Sequence, residues 1–371
     1  MYHFIFFSAL ISCIFFRSEA AFLDQLTLEE RVGQLLMVHF NGETANEEAA
    51  TLIQKAYVGG MIYYNWANGL HSHDQVKELS ASLQALAQQN RHPIPLLIAV
   101  DQEGGRVARL QQGFTKVPSN QELAAHDNGK LIERYANIVG KELLSVGINM
   151  NLAPVVDVNN NPNNPVIGNR SFGPSPQVVA DCAKLALKGY HSAGVITTLK
   201  HFPGHGDVEI DSHIDLPRIK KSQEVLRQTE LFPFIQLAAE ADVIMTAHLL
   251  VDALDPHNCT TLSRTSLDFL RNEIGFEGVI ITDSLVMEGL LNTCPSLEEA
   301  ALRAFNAGCD IILLGGKQLI GNKKGLELSV EDVLRIHQAF VTAVKDGRIS
   351  EDRLNQSVTR ICSLKDSFLL L

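Results

Sequence analysis

Short apolar runs recur along the chain, and the stretches between them carry helical spacing. The runs lie at 34–39, 60–64, 95–100, 148–152, 195–200, 243–248, 278–282 and 310–314. Most are continuous rather than alternating, the pattern of parallel strands buried on both faces. The intervening segments at 46–56, 73–90, 129–146, 176–193, 221–239, 266–274 and 297–307 read as helices. Eight strands alternating with helices predict an α/β fold, a single (β/α)8 TIM-type barrel. A doubly wound sheet is the alternative, but no glycine-rich dinucleotide turn follows the first strand. From Gly347 onward the pattern predicts a short turn and a closing helix, with Ser350 as its N-cap.

The first twenty residues break this pattern. Residues 4–16 are almost wholly apolar, and Ser18-Glu19-Ala20 places small residues where a signal peptidase reads. The segment predicts a secretory leader over 1–20, too short for an ordinary membrane span. Leu10-Ile11-Ser12-Cys13 also resembles a lipoprotein processing box, and an uncleaved apolar anchor is a third reading. The remainder, 21–371, is expected to be one barrel domain with no second domain behind it. The protein is therefore expected to be exported, periplasmic or secreted, and without a stable membrane span once the leader is removed.

Charge and cysteines exclude more than they assign. A net charge of -11 over 371 residues argues against a nucleic-acid surface. Five cysteines besides Cys13 are widely spaced with no CxxC, so neither a disulfide framework nor a zinc site is expected. There is no G-x-S-x-G elbow for a serine nucleophile, and Gly315-Gly316-Lys317 does not complete a phosphate loop.

The densest chemistry lies at 200–217, where three His, three Asp and one Lys share eighteen residues with two Gly and two Pro. Pro203, Gly204 and Gly206 prevent a helix, so the His201/His205 spacing does not make a helical metal site. His71-Ser72-His73 is a second metal candidate, but it follows the second strand at a loop-to-helix junction. No metal and no cofactor are expected. In extended chain, residues i and i+2 share a side, so Asp211 is placed to orient His213 for proton transfer. Equally, Asp211 braces the loop and His213 is a bystander. Further polar clusters end other strands: Asp101-Gln102-Glu103-Gly104-Gly105-Arg106 with Arg109, Asn169-Arg170-Ser171-Phe172, and Thr282-Asp283-Ser284. Each has a plain reading, Asp283 as the N-cap of a following helix and Arg170 as a surface ion-pair residue. In a barrel, though, all fall at the catalytic rim.

With these residues in order the chain resembles glycoside hydrolase family 3, in its β-N-acetylglucosaminidase branch. The resemblance rests on Ile98-Ala99-Val100-Asp101-Gln102-Glu103-Gly104-Gly105-Arg106-Val107, on Gly147-Ile148-Asn149-Met150-Asn151-Leu152-Ala153-Pro154-Val155-Val156-Asp157, and on Val166-Ile167-Gly168-Asn169-Arg170-Ser171-Phe172. It continues through Lys200-His201-Phe202-Pro203-Gly204-His205-Gly206 with Asp211-Ser212-His213, through Thr282-Asp283-Ser284-Leu285-Val286-Met287, and into Gly347-Arg348-Ile349-Ser350 with Arg353-Leu354. It implies a retaining, two-step hydrolysis of terminal N-acetylglucosamine from wall-derived, muropeptide-type glycosides. Asp283 would be the nucleophile and His213 the acid/base, oriented by Asp211. Asp101, Arg109, Arg170, Lys200 and His201 would hold the sugar. Ser284 departs from the second Asp of many relatives. A metal-dependent barrel hydrolase, another family 3 glycosidase and a phosphorolytic relative are the alternatives. The expected partner is a small saccharide or muropeptide, with a monomer as the expected state.

Overall fold

The computed structural model of the protein describes residues 22–126, 129–210, 215–318, 324–368 and 370. The leader and its processing sites lie outside the described residues, as do Asp211 and His213. The eight barrel strands are β1 (Leu36–Val38), β2 (Gly60–Tyr63), β3 (Leu97–Val100), β4 (Met150–Asn151), β5 (Ile196–Phe202), β6 (Val243–Thr246), β7 (Val279–Thr282) and β8 (Ile312–Leu313). Each pairs in parallel with its neighbour in chain order, and β1 pairs with β8 through Leu36↔Ile312 and Met37↔Leu313. A parallel bridge between Ile281 and Ile311 joins β7 to β8, so the sheet closes on itself. This is the (β/α)8 barrel that the eight apolar runs predict. Every residue of the eight strands is buried, which is why the runs are continuous: their inward side chains fill the barrel and their outward ones meet helices.

The helices match with instructive exceptions. Pro176–Ala193 and Leu297–Ala307 fall on the predicted bounds. The segment 221–239 is not one helix: it splits into Gln223–Gln228 and Phe232–Leu237. Pro233 has no N–H to donate into a preceding turn and instead sits in the first turn of the second piece. The segment 266–274 begins earlier, as Arg264–Asp268, and widens into a π turn over Phe269–Glu273. Val330–Lys345 was not predicted, although Ser329 and Asp332 form a capping box at its start. Glu351–Ser367 closes the chain with Ser350 as N-cap, as expected.

That closing helix seals the lower end of the barrel with a buried cation. Lys365 is fully buried, and its Nζ donates to Gln34 Oε1 (2.9 Å) and to Gly59 O (3.0 Å). Both acceptors are neutral, so burial pushes the ammonium down to about 8. In the unfolded chain it titrates at its ordinary value. Between pH 8 and about 10.5 the unfolded state therefore holds more protons, and folding stability rises with pH through that window. We expect wild type to gain up to about 3 kcal/mol relative to Lys365→Met between pH 8 and 10.5, at about 1.4 kcal/mol per tenfold change in proton affinity. Paired urea titrations at the two pH values measure it. A constant difference between the two proteins would show that the ammonium is not strained by burial.

Candidate active site

A cavity of about 390 Å³ opens at the carboxyl ends of the strands. Asp101 follows β3, Lys200 and His201 end β5, Asp283 follows β7, and Arg170 reaches in from the loop after β4. All five line this one cavity, and Arg109 lines it with them. Six sequence-predicted residues, scattered over nearly two hundred positions, are brought together because the ends of the barrel strands and the loops that follow them open onto the same rim.

At the β3–β5 arc of the rim the charges lock together. Lys200 Nζ lies 2.8 Å from Asp101 Oδ1 and 2.7 Å from Glu103 Oε1, with the lysine side chain only 2% exposed. Arg170 grips Glu103 with two parallel bonds, Nε to Oε2 at 2.9 Å and Nη2 to Oε1 at 2.8 Å. Arg109 Nη2 approaches Asp101 Oδ2 at 3.3 Å. Two carboxylates and three cations thus alternate, and no charge faces only its own sign. Burial opposes ionisation of Asp101, but Lys200 and Arg109 outweigh it and hold the carboxyl far below its ordinary range. Glu103 is likewise buried, yet Arg170 and Lys200 bring it down to about 2. On the cation side the same carboxylates raise Arg170 and Lys200 against the pull of burial. Arg170 is therefore not a surface ion-pair residue: its side chain is only 12% exposed and is held in the lattice by Glu103.

Beneath this network Asp157 organises the two histidines of the β5 loop. It is fully buried, accepts the ring Nδ1 of His201 at 2.7 Å, and takes the backbone N–H of His201 (3.2 Å) and of His205 (2.6 Å). Holding His201 through Nδ1 aims Nε2 outward, where it stands 3.4 Å from Arg170 Nη2. Burial keeps His205 neutral, down to about 4, despite the neighbouring Asp157. Gly206 shows why this loop needs glycine: a Cβ there would sit 1.8 Å from Val158 O. Asp157 thus holds the ring of His201 and the backbone of His205. His71 meets Glu43 at 2.9 Å while His73 meets Ser145 at 2.9 Å, so the HxH pair does not converge on one point. Among the described residues no group of His, Cys, Asp and Glu is arranged to hold a metal ion.

Asp283 sits elsewhere on the rim. Its N–H donates to Thr246 O (3.2 Å), its Oδ1 accepts from Ser284 N (2.7 Å), and its side chain lines the cavity. The next helix begins only at Glu288, with Met287 at its N-cap, so Asp283 is not a helix cap. Ser284 sends its Oγ to Gly315 O (2.6 Å) and accepts His248 Nε2 at its carbonyl (2.9 Å), which ties the β7 loop to its neighbours on both sides. The residue that departs from the family pattern is thus a loop brace.

Glu103 and Asp157 lie within the motifs 98–107 and 147–157, where the sequence alone does not mark them as site residues. A lone acid in an apolar run such as Val155-Val156-Asp157-Val158 must have partners if buried, which is a readable signal. Which partners it has depends on β4 lying beside β5, and no local pattern carries that.

The family model described as glycosyl hydrolase family 3 N terminal domain matches residues 27–364. "Beta-hexosaminidase A" of Pseudoalteromonas piscicida is 35% identical over 92% of this chain and 61% of its own length. A "Beta-hexosaminidase" of Pseudomonas aeruginosa (strain LESB58) is 36% identical over 75% of this chain and 81% of its own. Among solved structures, a glycoside hydrolase family 3 beta-N-acetylglucosaminidase from Paenibacillus sp. str. FPU-7 superposes with a TM-score of 0.86 and 42% identity, covering 93% of this chain and 63% of that one. The chain thus spans somewhat under two thirds of the Pseudoalteromonas and Paenibacillus relatives.

Proposed function

The chain belongs to glycosyl hydrolase family 3, and we propose that it is an exported, retaining exo-β-N-acetylglucosaminidase acting on wall-derived, muropeptide-type glycosides. One observation carries the reading: a sugar-sized cavity has the Asp101–Lys200–Glu103–Arg170 lattice on one arc of its rim and the Asp283 carboxylate on another. Fixed donors and acceptors at the first suit the hydroxyl groups of a terminal sugar, because each hydroxyl both donates and accepts. Interlocked side chains need no reordering when the sugar arrives. A carboxylate offset from that clamp suits attack at the anomeric carbon.

In the first step the Asp283 carboxylate attacks that carbon and the leaving oxygen takes a proton from His213, which Asp211 orients. In the second step His213 draws a proton from water, and water releases the sugar from Asp283 with net retention. A histidine acid also avoids setting a second anion beside the nucleophile. The N-acetylglucosaminide preference is supported by the names of the relatives, the wall-derived substrate and export by the apolar leader at 4–16. No helix among the described residues is long and apolar enough to cross a membrane. The test is proton NMR of early turnover of p-nitrophenyl N-acetyl-β-glucosaminide by protein lacking residues 1–20. The β-anomer of N-acetylglucosamine should appear first. The α-anomer appearing first would exclude retention, and preferred cleavage of the glucoside would exclude the proposed glycone.

A further inference from the structure

The other side of the cavity is built differently from the clamp. Around the rim, β3, β4 and β5 bring the charged lattice, while β8, β1 and β2 bring an aromatic shelf. Trp66, the single tryptophan of the chain, lines the cavity and is 41% exposed. Its ring stacks on Tyr64 at 5.2 Å with an interplanar angle of 19°, and the edge of His39 stands 5.1 Å away at 70°. Burial keeps His39 neutral, down to about 4, so the shelf is backed by an uncharged ring.

The turn that carries Trp66 is rigid. The fully buried Asn68 accepts Tyr64 N–H at 3.1 Å and donates to Phe40 O and Gly42 O, each at 3.1 Å. Trp66 is thus held from behind by Tyr64 and His39 and stays partly open to water at the cavity mouth. Its face is apolar and electron-rich, and the axial C–H faces of a pyranose ring are the complementary surface.

We propose that Trp66 is the platform of a leaving-group subsite, on which the sugar ring beyond the cleaved bond stacks. The proposal rests on the hydrolase reading above: with the terminal sugar in the charged clamp and its anomeric carbon at Asp283, the next ring emerges toward the arc formed by β8, β1 and β2. Lys317 Nζ stands 5.5 Å from the Trp66 ring centroid and 3.4 Å from Glu327 Oε2, in an ion pair about one-third exposed. Among the described residues, Lys317 is a flexible side chain that an arriving ring can move aside, and its ammonium then meets the sugar's oxygens.

Two measurements test the subsite separately from the chemistry. Because Trp66 is the single tryptophan beside six tyrosines, emission excited at the red edge, where tyrosine absorbs little, reports on it. Titration of Asp283→Asn with di-N-acetylchitobiose should change that emission, and N-acetylglucosamine at the same concentration should leave it nearly unchanged. In kinetics, Trp66→Ala should lower kcat/KM for di-N-acetylchitobiose about tenfold. It should leave methyl N-acetyl-β-glucosaminide within about twofold, and Trp66→Phe should restore most of the loss. Equal losses on both substrates, no loss on either, or an emission that ignores the disaccharide would overturn the subsite. Turnover of neither substrate by wild type, with a disaccharide-dependent emission change, would overturn the hydrolase reading and leave Trp66 a sugar-stacking surface without a leaving-group role.

Discussion

Asp283→Ala is expected to lose activity on p-nitrophenyl N-acetyl-β-glucosaminide by a factor on the order of 10⁴ or more, with folding unchanged. The position explains both halves of the expectation. Asp283 donates its backbone N–H to Thr246 O, a bond that any residue keeps, and its carboxylate accepts the Ser284 N–H. The truncation leaves that backbone bond in place. It removes the one group offered as nucleophile, and with it the covalent intermediate that divides the reaction into two easier steps. Azide should restore turnover in the variant by attacking the vacated face, giving the α-glycosyl azide. This separates direct attack by Asp283 from the alternative in which the substrate's own acetamido oxygen attacks. In that alternative Asp283 merely steers the amide, and azide rescue with inversion at the anomeric carbon should fail. A variant retaining a tenth of wild-type activity would remove Asp283 from the chemistry altogether.

The barrel was legible because its signal is local and repeated. Each run of five or six residues names a strand without knowledge of its neighbours, and eight of them in alternation with helices leave few topologies. The rim residues were legible for a related reason: position at the end of a strand is itself a sequence property. Charge pairing was not legible. Arg170 looks in isolation like a solvated surface arginine, and only the adjacency of β3 and β4 places it on Glu103 at 2.8 Å. The broken helix at 223–237 and the capping box at Ser329 were written in Pro233 and in Ser329-Val330-Glu331-Asp332. Both are weaker local signals than the apolar periodicity that surrounds them. Trp66 carried no sequence signal at all, since an isolated aromatic in a turn is ordinary until the fold sets it beside a cavity.

At the opposite end of the barrel, Asp310→Ala is expected to destabilise the protein by about 3–5 kcal/mol while leaving the turnover number of folded molecules unchanged. Asp310 is fully buried just before β8, and three arginines converge on it: Arg271 Nη2 at 2.6 Å, Arg360 Nη1 at 3.2 Å and Arg353 Nη1 at 3.4 Å. Ser357 Oγ donates to it at 2.5 Å and Ile280 N–H at 3.0 Å. Burial already lowers Arg271, to about 10, and Arg353, with Asp310 opposing the shift in each. Without the carboxylate these guanidinium groups repel one another in a space that solvates them poorly. Arg353, Ser357 and Arg360 belong to the closing helix, whereas Arg271 and Ile280 belong to the barrel. The carboxylate is therefore the joint between the two, and the variant should release Glu351–Ser367 before the strands melt. Amide exchange should show early loss of protection in that helix, and urea unfolding should give the lowered midpoint. Asp310→Asn, which keeps an acceptor for Ile280 N–H but not the charge, should still fall well short of wild type, because three cations rather than one hydrogen bond set the cost. A midpoint within experimental error of wild type for Asp310→Ala would mean that the arginines find solvent without cost, and that the closing helix is held by its apolar face alone.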